Sequence, residues 1–396
     1  MKEQRKKIII LGAGITGLVA GYYLSEDYDV IILEKNKFVG GSALSFKFKD
    51  FVLDSGPHKL YTELPGIMEE IAKVCPLIRV KKKNSIYLQG NYYDFPLKLG
   101  QIATRMPTTA IRSGFDILLK PFSKKPDDSY ENFLINRFGK TLYGLSFKDY
   151  AYKVWNSNPQ ELDPELARRR VAVSGIIQLI KGIIFKDTKK ISADYFYYPP
   201  EGMKQLFDSL VKKIEKNNGK IISLADISKI SIEDNKVTDI TFNKKKIVPD
   251  YVISTIPLDS LMSLMPKDND FDSSKIKYQD LNVIYFVLKK SRALKDCWVF
   301  FPEKKFIFQR VSEQKAFSES TSPKDKTVLM VETTQEVDKI LLDKIIKQLE
   351  ETKILKKEEI EETFTRKMSK AYPIYKKGFS QELSRFIKFA EGLDNF

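Results

Sequence analysis

The stretch "IIILGAGITGLVAGYYL", residues 8–24, decides how this chain is read. An export signal also begins with a basic segment such as MKEQRKK followed by an apolar run. Such a signal goes on to small residues at a cleavage site, whereas here the β-branched KKIII meets a glycine turn and then ITGLVAGYYLSED. The first piece reads as a buried parallel strand and the last as a helix. Gly12, Gly14 and Gly17 lie between them in G-x-G-x-x-G spacing, which carries meaning only in that strand, turn, helix order. Gly12 allows the tight turn, Gly14 lets backbone approach a pyrophosphate, and Gly17 lets helix and strand pack closely. An anion is then expected over the first helical residues, Ile15 and Thr16, where free N–H groups and the helix dipole favour negative charge.

Working outward, "YDVIILEK" is a second strand that ends at Glu34, twenty residues after Gly14, with Lys35 next. A carboxylate there accepts hydrogen bonds from ribose hydroxyls and repels a 2′-phosphate. Strand, glycine turn, helix, strand and acid together predict an NAD(P)-binding type of Rossmann domain, able to hold a dinucleotide.

The rest of the composition narrows the class. The chain has 396 residues, 42% hydrophobic and 30% charged, which suits a globular protein of two intertwined domains. Cys75 and Cys297 lie far apart, which fits neither a disulfide framework nor a zinc knuckle and suits a cytoplasmic protein. The single histidine, His58, excludes a multi-histidine metal site, and no metal is expected. Lys and Arg number 67 against 52 Asp and Glu, a formal +15. The lysines fall in scattered runs without interleaved aromatics, the pattern of a solvated surface, and no nucleic-acid partner is expected. An anionic membrane surface stays open as a peripheral partner. The most apolar stretch, "VAVSGIIQLIKGIIF" at 171–185, is broken by Lys181 and falls short of a membrane span.

After Glu34 the chain runs "KNKFVGGSALSF", with Gly40, Gly41 and Ser42 just past the second strand. The glycine fingerprint, the acid and this double glycine resemble FAD-binding proteins of the amine oxidase superfamily, which includes protoporphyrinogen oxidases, phytoene desaturases and UDP-galactopyranose mutases. Similarity continues through "FVLDSGPHKLYT" at 51–62, "FKDYAYKVWNSNPQELDPELARRRV" at 147–171 and "YYPPEGMKQLFDSL" at 197–210. It extends to "GKIISLADISKISIEDNKVTDITF" at 219–242, "DYVISTIPL" at 250–258, "WVFFPEKKFIFQRVSEQKAFS" at 298–318 and "KAYPIY" at 370–375.

The resemblance implies FAD as cofactor. Gly12, Gly14, Ile15, Thr16, Gly17, Glu34, Lys35, Gly40, Gly41 and Ser42 would lie along its diphosphate and ribose, Ile227 by the adenine, and Gly56, Pro57 and His58 near the flavin ring. His58 is either a ring contact or a loop histidine bonded to backbone. Trp155 is a candidate to stack on a planar substrate, and is equally a helix anchor. Arg168, Arg169 and Arg170 point different ways on a helix, so one or two at most would face an anionic substrate. Arg310 is a further anion-binding candidate. Departures are Ser42 where relatives often carry Arg, Asn156 in place of a glycine after Trp155, and no lysine matching the one many amine oxidases place near flavin N5.

The expected architecture is α/β: a Rossmann-type FAD domain with a β-meander insert (1–70, 200–265, 366–396) and a mixed α+β substrate domain (71–199, 266–365). The implied reaction is hydride transfer from a substrate C–H bond to flavin N5, closest to the protoporphyrinogen-oxidase-like branch, with a small, anionic or planar substrate. A mutase-like sugar-nucleotide isomerase is the alternative. Relatives continue past the equivalent of "EGLDNF" at 391–396 into a strand, a Gly-Arg turn and a helix. A truncated flavoprotein with weak or no activity is therefore the third expectation.

Overall fold

Strands Lys7–Leu11 and Asp29–Leu33 are built from Ile, Leu and Val and are buried on both faces, as a central parallel sheet demands. Each fully buried isoleucine, such as Ile9, Ile10 and Ile32, contributes roughly 2 kcal/mol of transfer free energy. In the computed structural model, which describes residues 5–123, 125–171, 194–266 and 271–396, these strands pair in parallel, Ile8 opposite Val30 and Ile10 opposite Ile32. Strand Tyr251–Ser254 flanks the first and Lys220–Ile222 the second, giving a four-stranded parallel sheet.

Helix Ile15–Leu24 packs on helix Met203–Lys216, which buries Met203, Leu206, Phe207, Leu210 and Ile214 at helical spacing. The insert is a three-stranded antiparallel meander, Ile227–Glu233, Lys236–Phe242 and Lys245–Ile247. These elements belong to one compact unit, residues 1–78, 198–277 and 381–396.

The second unit comprises residues 79–197 and 278–380. The chain leaves it for the first unit at 381, so residues 366–380, assigned to the FAD domain on sequence, fall in the second unit, 366–374 of them within strand Ile360–Ile374. That unit is built on a seven-stranded mixed sheet, in which Trp298–Phe300 pairs in parallel with Asn84–Leu88. "LNVIYFVL" and "TVLMVET" are its neighbouring strands, Ile284 opposite Val331. Helix Lys339–Glu351 covers one face through Ile345, Ile346 and Leu349 over Phe286, Leu329 and Val331. Separately, helices Tyr130–Tyr143, Asp149–Trp155 and Pro164–Arg170 enclose an aromatic cluster. Cys75 and Cys297 are free and buried. The apolar stretch expected at 171–185 falls, after Val171, outside the described residues.

Candidate functional site

The first strand ends in a turn that only glycine fits. Gly12 has φ +97°, in the left-handed region, and Thr255 Oγ1 lies 2.9 Å from the carbonyl of Leu11 and 3.1 Å from that of Gly12. A Cβ on Gly17 would sit 2.0 Å from the Gly12 carbonyl oxygen, so any side chain there drives the helix off the strand. Gly14 caps the helix in extended conformation, with no side chain bonded to the cap and no acid in the first turn. The first intrahelical bond runs from Leu18 N to Gly14 O at 2.9 Å. Ile15 and Thr16, exposed just before it, therefore present their N–H groups outward at the positive end of the helix dipole.

The double glycine completes this surface. Gly40 N donates to Ala13 O at 2.8 Å, and Gly40 bridges to Gly14 in parallel. A Cβ on Gly41 would come within 3.2 Å of Gly14 Cα, whereas one on Gly14 would meet nothing within 4 Å. Backbone thus meets backbone on one side of Gly14 and space remains on the other. Ser42, past the pair, is exposed, as is Lys35.

Glu34 is buried and oriented. Its Oε2 accepts from Ala13 N at 2.8 Å, and its Oε1 accepts from Asn36 N at 2.8 Å and Nδ2 at 2.9 Å. Oε2, with one donor, keeps acceptor capacity for a ribose hydroxyl. Ala225 N donates to Glu34 O at 2.8 Å, which brings the segment leading to Ile227 alongside. Ile227 is half-buried and opens the meander opposite Phe242, at a register shift. Free N–H groups, a bare glycine surface and a fixed carboxylate are the donor and acceptor set a dinucleotide's pyrophosphate and ribose require, and these residues fit FAD.

In the same unit Gly56, Pro57 and His58 follow strand Phe51–Asp54, with Ser55 N bonded to Leu44 O at 2.9 Å. Gly56 is buried and Pro57 and His58 are partly so. Sequence reasoning passed over what holds this segment. The fully buried Asp54 accepts from Ser45 Oγ at 2.5 Å and from Tyr198 OH at 2.7 Å, and Ser45 Oγ in turn accepts from Lys204 N at 3.1 Å. The available signal was an acid closing the apolar run FVLD. Thr255 and Asn36 were also missed, since a lone Thr or Asn after a strand carries no pattern.

The second unit holds the remaining candidates. Trp155 lies in the helical core, edge-on to Tyr130 with ring centroids 5.5 Å apart, so it packs the interior and offers no stacking surface. Its indole N–H is buried without an acceptor among the described residues. Arg168 and Arg169 both pair with Glu165, at 3.4 and 2.9 Å, and are surface groups.

Arg310 stands on the sheet opposite Glu332, with Nε and Nη2 each 2.7 Å from Oε1. Burial works against its charge, but Glu332 and the hydroxyls of Tyr372 and Tyr150 outweigh that and hold its pKa above the ordinary value. Burial likewise pushes the Tyr372 phenol up to about 12. The Arg170 guanidinium sits 5.6 Å from the centre of the Tyr372 ring. Two arginines and two tyrosines thus gather here. Lys153, also missed, donates from its buried Nζ to the carbonyls of Phe301, Glu303, Phe306 and Phe308, which fixes the turn leading to Arg310.

A Rossmann-type sheet whose first turn, double glycine and acid all fit a dinucleotide defines a flavoprotein of the FAD-binding class. The chain belongs to the flavin containing amine oxidoreductase family, whose model matches residues 15–384. FAD is accordingly its cofactor. Among curated proteins it is 26% identical over 238 residues to an uncharacterised protein of Methanocaldococcus jannaschii, covering 59% of this chain and 55% of the relative. It is 25% identical over 304 residues to coproporphyrinogen III oxidase of Staphylococcus aureus, covering 68% and 64%. The matched stretch is thus less than two thirds of either relative's length. The solved structure of a reduced UDP-galactopyranose mutase shares the fold, with a TM-score of 0.82 at 20% identity over 97% of this chain and 88% of that one.

Proposed function

We propose that the protein is an FAD-dependent oxidoreductase that takes hydride from a C–H bond of a small anionic or planar substrate. The flavin, when bound, supplies the hydride acceptor at N5. The observation that carries this reading is the side-chain-free surface of Gly14, Gly40 and Gly41 beside the oriented carboxylate of Glu34. Ile15 and Thr16 would bind the pyrophosphate through backbone, Glu34 the ribose, and the segment at Gly56–His58, held by Asp54, would continue along the cofactor. A porphyrinogen is the substrate class to try first, because a coproporphyrinogen oxidase is among the relatives.

One observation favours a second reading, a mutase-like sugar-nucleotide isomerase. Arg170 and Arg310 both act on Tyr150 and Tyr372, and such a group suits a nucleotide diphosphate.

The test is FAD titration of the purified chain, followed by anaerobic mixing with a porphyrinogen, a polyene or an amine while the flavin absorbance is followed. Bleaching by a porphyrinogen or polyene supports the oxidoreductase reading. A chain that takes up no FAD overturns both readings. UDP binding that Arg310→Met abolishes, with no bleaching by any reductant, transfers the assignment to the isomerase.

A further inference from the structure

Helix Pro107–Ser123 has its polarity reversed. Toward the protein it turns Thr109 and Ser113, both 8% exposed, and Asp116, whose Oδ2 accepts from Thr141 N at 2.6 Å. Ala110 and Ile117 on that side pack against apolar clusters. Outward it turns Ile111, Phe115, Leu118 and Leu119, at 62%, 59%, 72% and 58% exposure. Their spacing, i, i+4, i+7 and i+8, makes one continuous stripe along the helix. Exposed apolar residues scattered singly need no explanation, but four of the most exposed within nine residues mark a contact surface.

The charge around the stripe points to the partner. In sequence, the helix carries Arg112 and Lys120 with Arg105 before it and Lys124 and Lys125 after it, against a single acid within 105–125, Asp116, which is engaged inward. An apolar stripe among cations, with no acid of its own facing out, complements an anionic lipid surface: acyl chains take the stripe and headgroup phosphates the cations. A second copy of the chain complements it poorly, because two such faces would bring like charges together in molecules of formal charge +15. Among the described residues no helix is long and apolar enough to cross a membrane.

We propose that helix Pro107–Ser123 docks the protein peripherally on an anionic bilayer, lying in the headgroup plane with Ile111, Phe115, Leu118 and Leu119 inserted. The experiment is flotation of the full-length chain with phosphatidylcholine vesicles, with and without phosphatidylglycerol, comparing wild type with the double variant Phe115→Ser, Leu118→Ser. Both side chains are exposed, and an unchanged thermal midpoint establishes that the variant is folded.

The expected result is wild-type binding to the phosphatidylglycerol vesicles, weakened by salt, and a drop of roughly tenfold or more in the double variant. No wild-type binding, or binding that the double variant retains, overturns the proposal. Equal binding to pure phosphatidylcholine overturns its electrostatic half. A concentration-dependent dimer that the same substitutions abolish, without vesicle binding, replaces the bilayer by a second copy.

Discussion

The glycine turn at residues 12–17 and the sheet face around Arg310 both present positive charge, by opposite means. In the turn the charge is partial and belongs to backbone: N–H groups at a helix start with no side chain capping them and no acid in the first turn. At Arg310 the charge is a whole guanidinium, bonded to Glu332 at 2.7 Å and flanked by Tyr150 and Tyr372. The turn works through side chains that are absent, so any addition obstructs it. The sheet face works through side chains that are present and already paired, so an anionic ligand there must compete with Glu332. The first is a charge fixed by backbone and the second a charge already engaged by side chains.

The largest effect is expected at Gly17. Gly17→Val places Cβ where a carbonyl oxygen stands 2.0 Å away, so the first strand and helix must part. We expect a loss of at least about 3 kcal/mol in urea denaturation and no flavin in the purified protein. Gly14→Ala breaks the comparison differently, because its Cβ meets nothing within 4 Å. That variant should melt like wild type yet bind FAD roughly tenfold or more weakly, its methyl group lying in the pyrophosphate's approach. Unaltered FAD affinity in Gly14→Ala would show that backbone approach at this glycine is not what seats the cofactor.

Next comes the ion pair. Glu332 is buried and Arg310 is mostly so, and removing one partner leaves the other charge uncompensated. Glu332→Gln should cost about 3 kcal/mol in chemical denaturation. Replacing both residues with methionine should recover most of that loss, because a packed apolar pair avoids the desolvation penalty. A single substitution costing well under about 1 kcal/mol would mean that Arg310 is solvated and available, which would erase its contrast with the backbone-built site.

The two regions were unequally legible in the sequence for the same physical reason. Backbone sites need glycine at fixed spacing: Gly12, Gly17, Gly40 and Gly41 are required by φ or by close contacts, and Gly14 leaves its surface bare. Glu34 is legible because it ends a predicted strand at a set distance. The groups at Arg310 come from strands and helices distant in the chain, and only the pairing of Arg310 with Glu332 brings them together. Trp155 shows the converse error: a large aromatic in a suggestive motif looks functional, yet the sequence cannot reveal that Tyr130 and the helical core already occupy its faces. Asp54 was hidden by its partners, since Ser45 and Tyr198 become visible only once the strands pair and the chain returns.

The smallest effect, and the finest test of the contrast, lies at Lys153. Burial pushes its amine down to about 7 from the ordinary 10.5, against the pull of Asp149 and Glu303. Four backbone carbonyls crowd the Nζ and favour the charged form, so the two influences oppose each other. If desolvation prevails, the unfolded chain holds this proton between pH 7 and 10.5 while the folded chain has released it. Unfolding then takes up a proton, and stability attributable to Lys153 rises with pH across that window. With the carbonyls offsetting part of the burial, we expect wild type to gain roughly 1–2 kcal/mol over Lys153→Met between pH 6 and 10, measured by urea midpoints. The glycine turn has no ionisable donor, and Gly14→Ala should show no such slope against wild type. A flat difference for Lys153→Met would mean that the carbonyl cage outweighs burial, making this lysine a permanent cation fixed by backbone and shifting its turn toward the glycine side of the comparison.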